Sequence, residues 1–214
     1  MPKMRIVYVT SSSFKAEENR VFTEHCQLKD GTKVGNDFHF EIRSVPIKEV
    51  LEVDLRVMVQ AEVVEAYSQT RVPCIVEHAG LIFPDLGDCY PGGLTKPMWN
   101  TLGDRFLAET NSAGRPAIAR AVVAYCDGMS VKTFVGETRG QLAKTPRGDR
   151  KFYWDTVFEP DDTSGTTKGR TYAEIVADPK LGLVYKIVEL SQSSKAMMQF
   201  LEFIRIAPPS SLWE

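Results

Sequence analysis

Glu77 and His78 end the apolar part of RVPCIVEHAGLIF, Arg71 to Phe83. Ile75 and Val76 lead straight into them, so the pair sits where a buried strand leaves the core. A carboxylate beside an imidazole can bind a divalent cation or take a proton from water. It can equally be the polar mouth of a strand. A second group lies near the N-terminus, where MRIVYVT runs into TSSS and then FKAEENRVFTEHCQL. A strand, a hydroxyl-rich loop and a helix start would aim serine hydroxyls and unpaired N–H groups at one spot, which suits an anion. Cys26, Cys74, Cys89 and Cys126 form no CxxC or CxxH pattern, and His25, His39 and His78 show no ligand spacing, so a zinc site has almost no support.

The elements that must position these groups follow from periodicity. Phe14, Val21, Phe22 and Cys26 have helix-like spacing. DFHFEIRSV alternates Phe38, Phe40 and Ile42 with polar residues, as a half-buried strand does. From Glu49 to Gln69 the spacing predicts a helix with Val53, Val57, Ala61 and Val64 inward, and with Glu52, Arg56, Glu62 and Glu65 on its wetter side. PMWNTLGDRFL reads as a helix packing Met98, Leu102 and Phe106. ARAVVAYCDGMSVKTFVGETRG reads as two strands joined at Asp127-Gly128. Thr171 to Glu174 has capping-box spacing, and Met197, Leu201 and Ile204 mark a last helix before a loose tail at 207–214. Strands and helices alternate first and a hairpin dominates later, which predicts one α/β domain over 1–214 with a mixed sheet.

A chain of 214 residues with 43% hydrophobic and 25% charged residues can bury a sizeable core. Its net charge of −2 gives no basis for nucleic-acid binding, and no apolar run could span a bilayer. Reduced core cysteines fit a cytoplasmic protein.

Four segments resemble the inosine triphosphate pyrophosphatase family. They are IVYVTSSSFKAEE, VPCIVEHAGLIFPDLGDCYPGG, FVGETRGQLAKTPRGDRKFYWDTVFEPDD followed by TYAEI, and SQSSKAMMQFL. The resemblance implies an elongated α/β fold, a mixed sheet with flanking helices in two lobes around a nucleotide cleft. It also implies a divalent metal, Mg or Mn, a nucleoside triphosphate substrate and a homodimer. On this match Thr10, Ser12 and Lys15 fall on the phosphate loop. Phe152, Trp154 and Asp155 fall on the aromatic–acid set that frames the base, with Tyr153 in place of a glycine. Ser191, Gln192 and Ser193 stand where the family has Ser-His-Arg.

Two departures concern the chemistry. Glu77 matches the first acid of the family's acid pair, but His78 replaces the second, an acid expected to hold magnesium or activate water. Counted without gaps from Pro73, the family's lysine falls on Glu62, a reversed charge. A carboxylate about 5 Å from a phosphate charge costs on the order of 3 kcal/mol at an effective dielectric near 20 unless a cation intervenes. Glu62, Glu77 and His78 are therefore the expected catalytic set, and Glu77 and His78 with Glu49 the expected metal ligands. Glu62 could equally be a solvated helix residue. The expected activity is hydrolysis of a triphosphate, including non-standard purines, to monophosphate and pyrophosphate. The alternative is a nucleotide-binding or regulatory protein on the same fold.

Overall fold

The first strand, β1 (Met4–Val9), is buried from Ile6 onward and is followed by the Thr10–Ser12 loop, as its β-branched run predicts. Residues 3–206 and residue 208 are described here in a computed structural model, so the tail expected at 207–214 lies, apart from residue 208, outside the described residues. The other strands are β2 (Phe38–Arg43), β3 (Cys74–Ile82), β4 (Pro116–Cys126), β5 (Val131–Leu142) and β6 (Phe158–Pro160). They form one sheet in the order β2-β1-β3-β4-β5-β6. β1 runs parallel to both neighbours, and the remaining pairs are antiparallel, which is the mixed sheet expected.

The helices are α1 (Ser13–His25), α2 (Val34–Asp37), α3 (Leu55–Thr70), α4 (Thr95–Leu102), α5 (Phe106–Glu109), α6 (Tyr172–Ala177), α7 (Gly182–Tyr185) and α8 (Gln192–Ile206). Local chemistry sets several of their ends. Ser12 caps α1, its hydroxyl accepting from the Lys15 N–H at 3.3 Å. At α6 the capping box is complete: Thr171 Oγ1 accepts from the Glu174 N–H, and Glu174 Oε2 from the Thr171 N–H. The β4–β5 turn falls where Asp127-Gly128 predicted, with Asp127 Oδ1 accepting from the N–H groups of Met129 and Ser130.

The sheet packs on both sides. Tyr8, Phe22, Ile75 and Phe200 belong to a core shared with α1 and α8, and Val7, Val59, Val63 and Val76 to a core shared with α3. A further core, around Phe83, Phe106, Phe158 and Tyr172, fills the second lobe at the far ends of the long strands.

α3 corrects the sequence reading in start and phase. It begins after the Asp54 cap, so Glu49 precedes it in a loop. Its buried residues are Leu55, Met58, Val59, Glu62, Val63 and Ala66, while Val57 and Val64 are 48% and 52% exposed. The helix carries two apolar stripes, and packing selects the one spaced i, i+3, i+4, i+7, i+8 and i+11. Glu62 thus lies on the inner face.

Candidate active site

One cleft of about 750 Å³ is lined both by the Thr10–Lys15 segment and by the Phe152–Asp155 turn. At the first end the loop is already organised: Thr10 Oγ1 accepts from the Ser12 N–H at 3.1 Å, and Lys15 extends from the first turn of α1. Lys15 Nζ lies 3.0 Å from Glu77 Oε2 and also donates to the Glu77 carbonyl.

Glu77 is buried on β3. Ser193 Oγ donates to its Oε1 at 2.9 Å, and the Tyr8 hydroxyl to its Oε2 at 3.3 Å. Burial pushes the Glu77 carboxyl up, but the Lys15 ammonium, the Ser193 hydroxyl and His78 outweigh it and hold the group below its ordinary value. The Tyr8 phenol is raised well above its own, by burial and by the charges of Glu77 and Glu18.

His78 is the next residue, and strand alternation sends it to the opposite face of the sheet. There its Nε2 lies 2.6 Å from Glu62 Oε2. Glu62 is 3% exposed, and its Oε1 has no hydrogen-bond partner among the described residues. The two departures from the family pattern therefore meet as one pair, which makes Glu62 a buried partner and not a solvated helix residue.

The metal set expected from sequence is not brought together. Glu77 and His78 diverge, and Glu49 is exposed, with one oxygen 3.2 Å from Lys96 Nζ. Among the described residues no group of three or more His, Cys, Asp or Glu side chains is gathered to hold a metal ion. The cleft is nonetheless acidic. Four lysines along its walls oppose five glutamates and one aspartate, a formal excess of two negative charges. Magnesium is commonly held by one or two carboxylates together with substrate phosphates, not by a cage of protein ligands. Glu77 and Glu49 both line the cleft, where carboxylates of that kind would stand.

At the other end, Arg150–Thr156 forms a tight turn that exposes Tyr153 and buries Trp154 and Asp155. Trp154 packs edge-on to Phe158, so it is part core and part cleft wall. Asp155 Oδ2 accepts from Lys186 Nζ at 2.6 Å, and Glu18 Oε1 from the same ammonium at 2.8 Å. Lys186 begins a π-helical turn, Lys186–Leu190, a local widening common at functional sites. Its burial works against the charge, but Asp155 and Glu18 prevail and raise the ammonium above its ordinary value. Burial raises the Asp155 carboxyl, against the pull of Lys186.

Ser191 departs from its expected role. It lies outside the cleft lining, and its hydroxyl accepts from the Ser194 N–H at the start of α8. Gln192 does line the cleft, with Oε1 accepting from the Tyr172 hydroxyl at 3.1 Å. Ser193, not Ser191, reaches Glu77. Lys186 and Glu18 were not singled out from sequence. The signal available was a lone lysine in the apolar run LVYKIVEL, since a charge inside such a run must be paired.

This arrangement, an α/β sheet with a cleft between a capped hydroxyl loop and an aromatic turn, matches a known class. The sequence pattern of the Ham1 family matches residues 6–203, and the chain belongs to that family. A dITP/XTP pyrophosphatase of Hyperthermus butylicus is 34% identical over 119 residues, 55% of this chain and 60% of that protein. An inosine triphosphate pyrophosphatase of Candida glabrata is 26% identical over 211 residues, 95% of this chain and 99% of that protein. The chain spans 60%, 65% and 58% of the length of the first three curated relatives it matches. A solved HAM1 protein from Coxiella burnetii shares the fold, with a TM-score of 0.64 at 20% identity over 94% of this chain and 99% of that one. Among the described residues no helix is long and apolar enough to cross a membrane.

Proposed function

We propose that this protein hydrolyses a nucleoside triphosphate, including non-standard purine nucleotides, to the monophosphate and pyrophosphate with a divalent metal, Mg or Mn. The observation that carries the reading is the single cleft shared by the Thr10–Lys15 loop and the Phe152–Asp155 turn, one end suited to phosphates and the other to a base. Thr10, Ser12 and Lys15 hold the phosphate chain. Phe152, Tyr153, Trp154 and Asp155 frame the base, with Gln192 beside them. A triphosphate entering a cleft with surplus carboxylates needs a cation, and Glu77 and Glu49 are the residues that would hold it. When bound, the metal neutralises charge developing on the phosphate oxygens.

Glu77 is the ionised carboxylate beside the phosphate-binding lysine, placed to orient the water that adds to phosphorus as the bond to pyrophosphate breaks. His78 faces the same cleft from the other side of β3, and Glu62 orients its ring. With Nε2 turned to Glu62, Nδ1 is the ring nitrogen left for a ligand or a water. The same reading places the enzyme in the cytoplasm, where its four unpaired cysteines stay reduced, and makes it a homodimer as the family resemblance implies.

A second reading, a nucleotide-binding protein without turnover, is favoured by one observation. Lys15 and Lys186, two of the cleft's cations, are already committed to carboxylates. The test is pyrophosphate release across natural and deaminated nucleoside triphosphates with Mg or Mn, with Glu77→Gln in parallel. Turnover that disappears in Glu77→Gln supports the first reading. Silence across the panel with nucleotide still bound leaves the second.

A further inference from the structure

Phe14 is not among the phosphate-holding residues Thr10, Ser12 and Lys15. It stands on the first turn of α1 beside Lys15, is 41% exposed, and lines the cleft. Its ring meets Phe152 edge-on at 5.7 Å and 61°, and Tyr153 at 6.5 Å and 87°. An apolar ring in the first turn of a helix would ordinarily turn toward the core, as Val21 and Phe22 do further along α1. Instead it reaches across the cleft to the aromatic turn.

Tyr153, the next residue of the turn, meets it as well. Its backbone has φ +53° and ψ −132°, a conformation that favours glycine and is strained for a tyrosine. Tyr153 is 43% exposed and lines the cleft. Lys151 Nζ lies 5.0 Å from the Phe152 ring centroid and adds a cation–π contact to the cluster. Rings from two separate elements thus meet edge to face at the end of the cleft assigned to the base, and a base would part them to stack between them.

We propose that Phe14 and Tyr153 are specificity-determining residues that form a clamp on the base of a purine nucleotide. The inference rests on the reading that the Phe152–Asp155 turn faces a base, and it adds the opposing wall. A two-ring base offers the larger face to such a clamp, so purines gain more than pyrimidines. Because Phe14 and Lys15 are adjacent, one helix turn meets both the base and the phosphates.

The test measures binding of inosine, adenosine and uridine monophosphates by calorimetry to the whole protein, to Phe14→Ala and to Tyr153→Gly, with the melting temperature of each. Removing a stacking ring is expected to weaken purine binding about tenfold, with a smaller loss for uridine monophosphate. Tyr153→Gly is expected to hold or raise the melting temperature while losing affinity, because glycine adopts that backbone readily. Purine affinities within twofold of wild type in both variants overturn the clamp, as do equal losses for purine and pyrimidine. Wild-type protein that binds none of the three also overturns it. Where turnover is found, the Phe14→Ala loss on inosine triphosphate should exceed the loss on tripolyphosphate, which has no base, about tenfold. Equal losses would mean that Phe14 acts through Lys15, and would also overturn the clamp. Absent turnover with purine binding that weakens in the variants removes the pyrophosphatase reading and leaves the clamp standing.

Discussion

Glu77 and His78 are neighbours on one strand, yet the two sides of the sheet they face treat charge differently. On the α1 side, Glu77 has Lys15, Ser193 and Tyr8, while Asp155 and Glu18 share Lys186. Both lysines there sit between acceptors fixed by the fold. On the α3 side a single pair, Glu62 and His78, leaves one buried carboxylate oxygen without a partner. The saturated side is pre-organised, so any ligand binding there would have to displace a partner. The other side holds an acceptor whose hydrogen bonding is incomplete, and an unsatisfied buried group of this kind is costly unless it serves a purpose.

The largest effect expected on this comparison comes from Lys186→Met. Removing the ammonium leaves Asp155 buried beside Glu18 without a counter-charge, and breaking a buried pair from one side costs about 3–5 kcal/mol. Urea denaturation should register that loss, and Lys186→Met with Asp155→Asn should recover part of it. A loss below about 1 kcal/mol, the scale of a solvated surface pair, would dissolve the distinction between the two sides.

Next comes the pH dependence of the same side. Glu77 titrates below its ordinary value of 4.5 when folded, so its contribution is complete above 4.5 and fades as pH falls through the depressed value. Lys186 titrates above its ordinary 10.5, so its contribution is complete below 10.5 and fades as pH climbs through the raised value. Stability measured against pH should therefore show one limb on each side, with Glu77→Gln flattening the acid limb and leaving the alkaline one. An acid limb unchanged in Glu77→Gln would assign it to other carboxylates, such as Asp30 and Asp162, each held at about 2.

A smaller effect tests the α3 side. Glu62→Gln, His78→Asn and the double variant form a cycle in which residues in direct contact should couple by about 1–2 kcal/mol in stability. Additive losses would mean that the 2.6 Å pair is incidental.

Much of this was legible in the chain because it is local. The strand–loop–helix start, the Asp127-Gly128 turn and the Thr171 capping box each rest on residues within a few positions of one another, and each appears where read. The divergence of Glu77 and His78 was not read, although adjacent strand residues point to opposite faces and the expected metal set joined them. The partners of Lys186 were not legible, because they lie 31 and 168 residues away. The phase of α3 was hidden for another reason. Periodicity offers two apolar stripes, and only the sheet decides between them.

That last point yields the smallest effect and the sharpest check on α3. Val64→Lys on the outer stripe should change stability by no more than about 0.5 kcal/mol, the range for surface substitutions. Val63→Ala, one residue earlier and fully buried, should cost about 2 kcal/mol through lost burial and the cavity left behind. The pair is informative because both begin as valine on one helix, so helix propensity shifts each only slightly. If the two losses were reversed, the helix would be turned by the phase that sequence first suggested. Glu62 would then face water, His78 would lose its partner, and the α3 side of the site would have no buried carboxylate to explain.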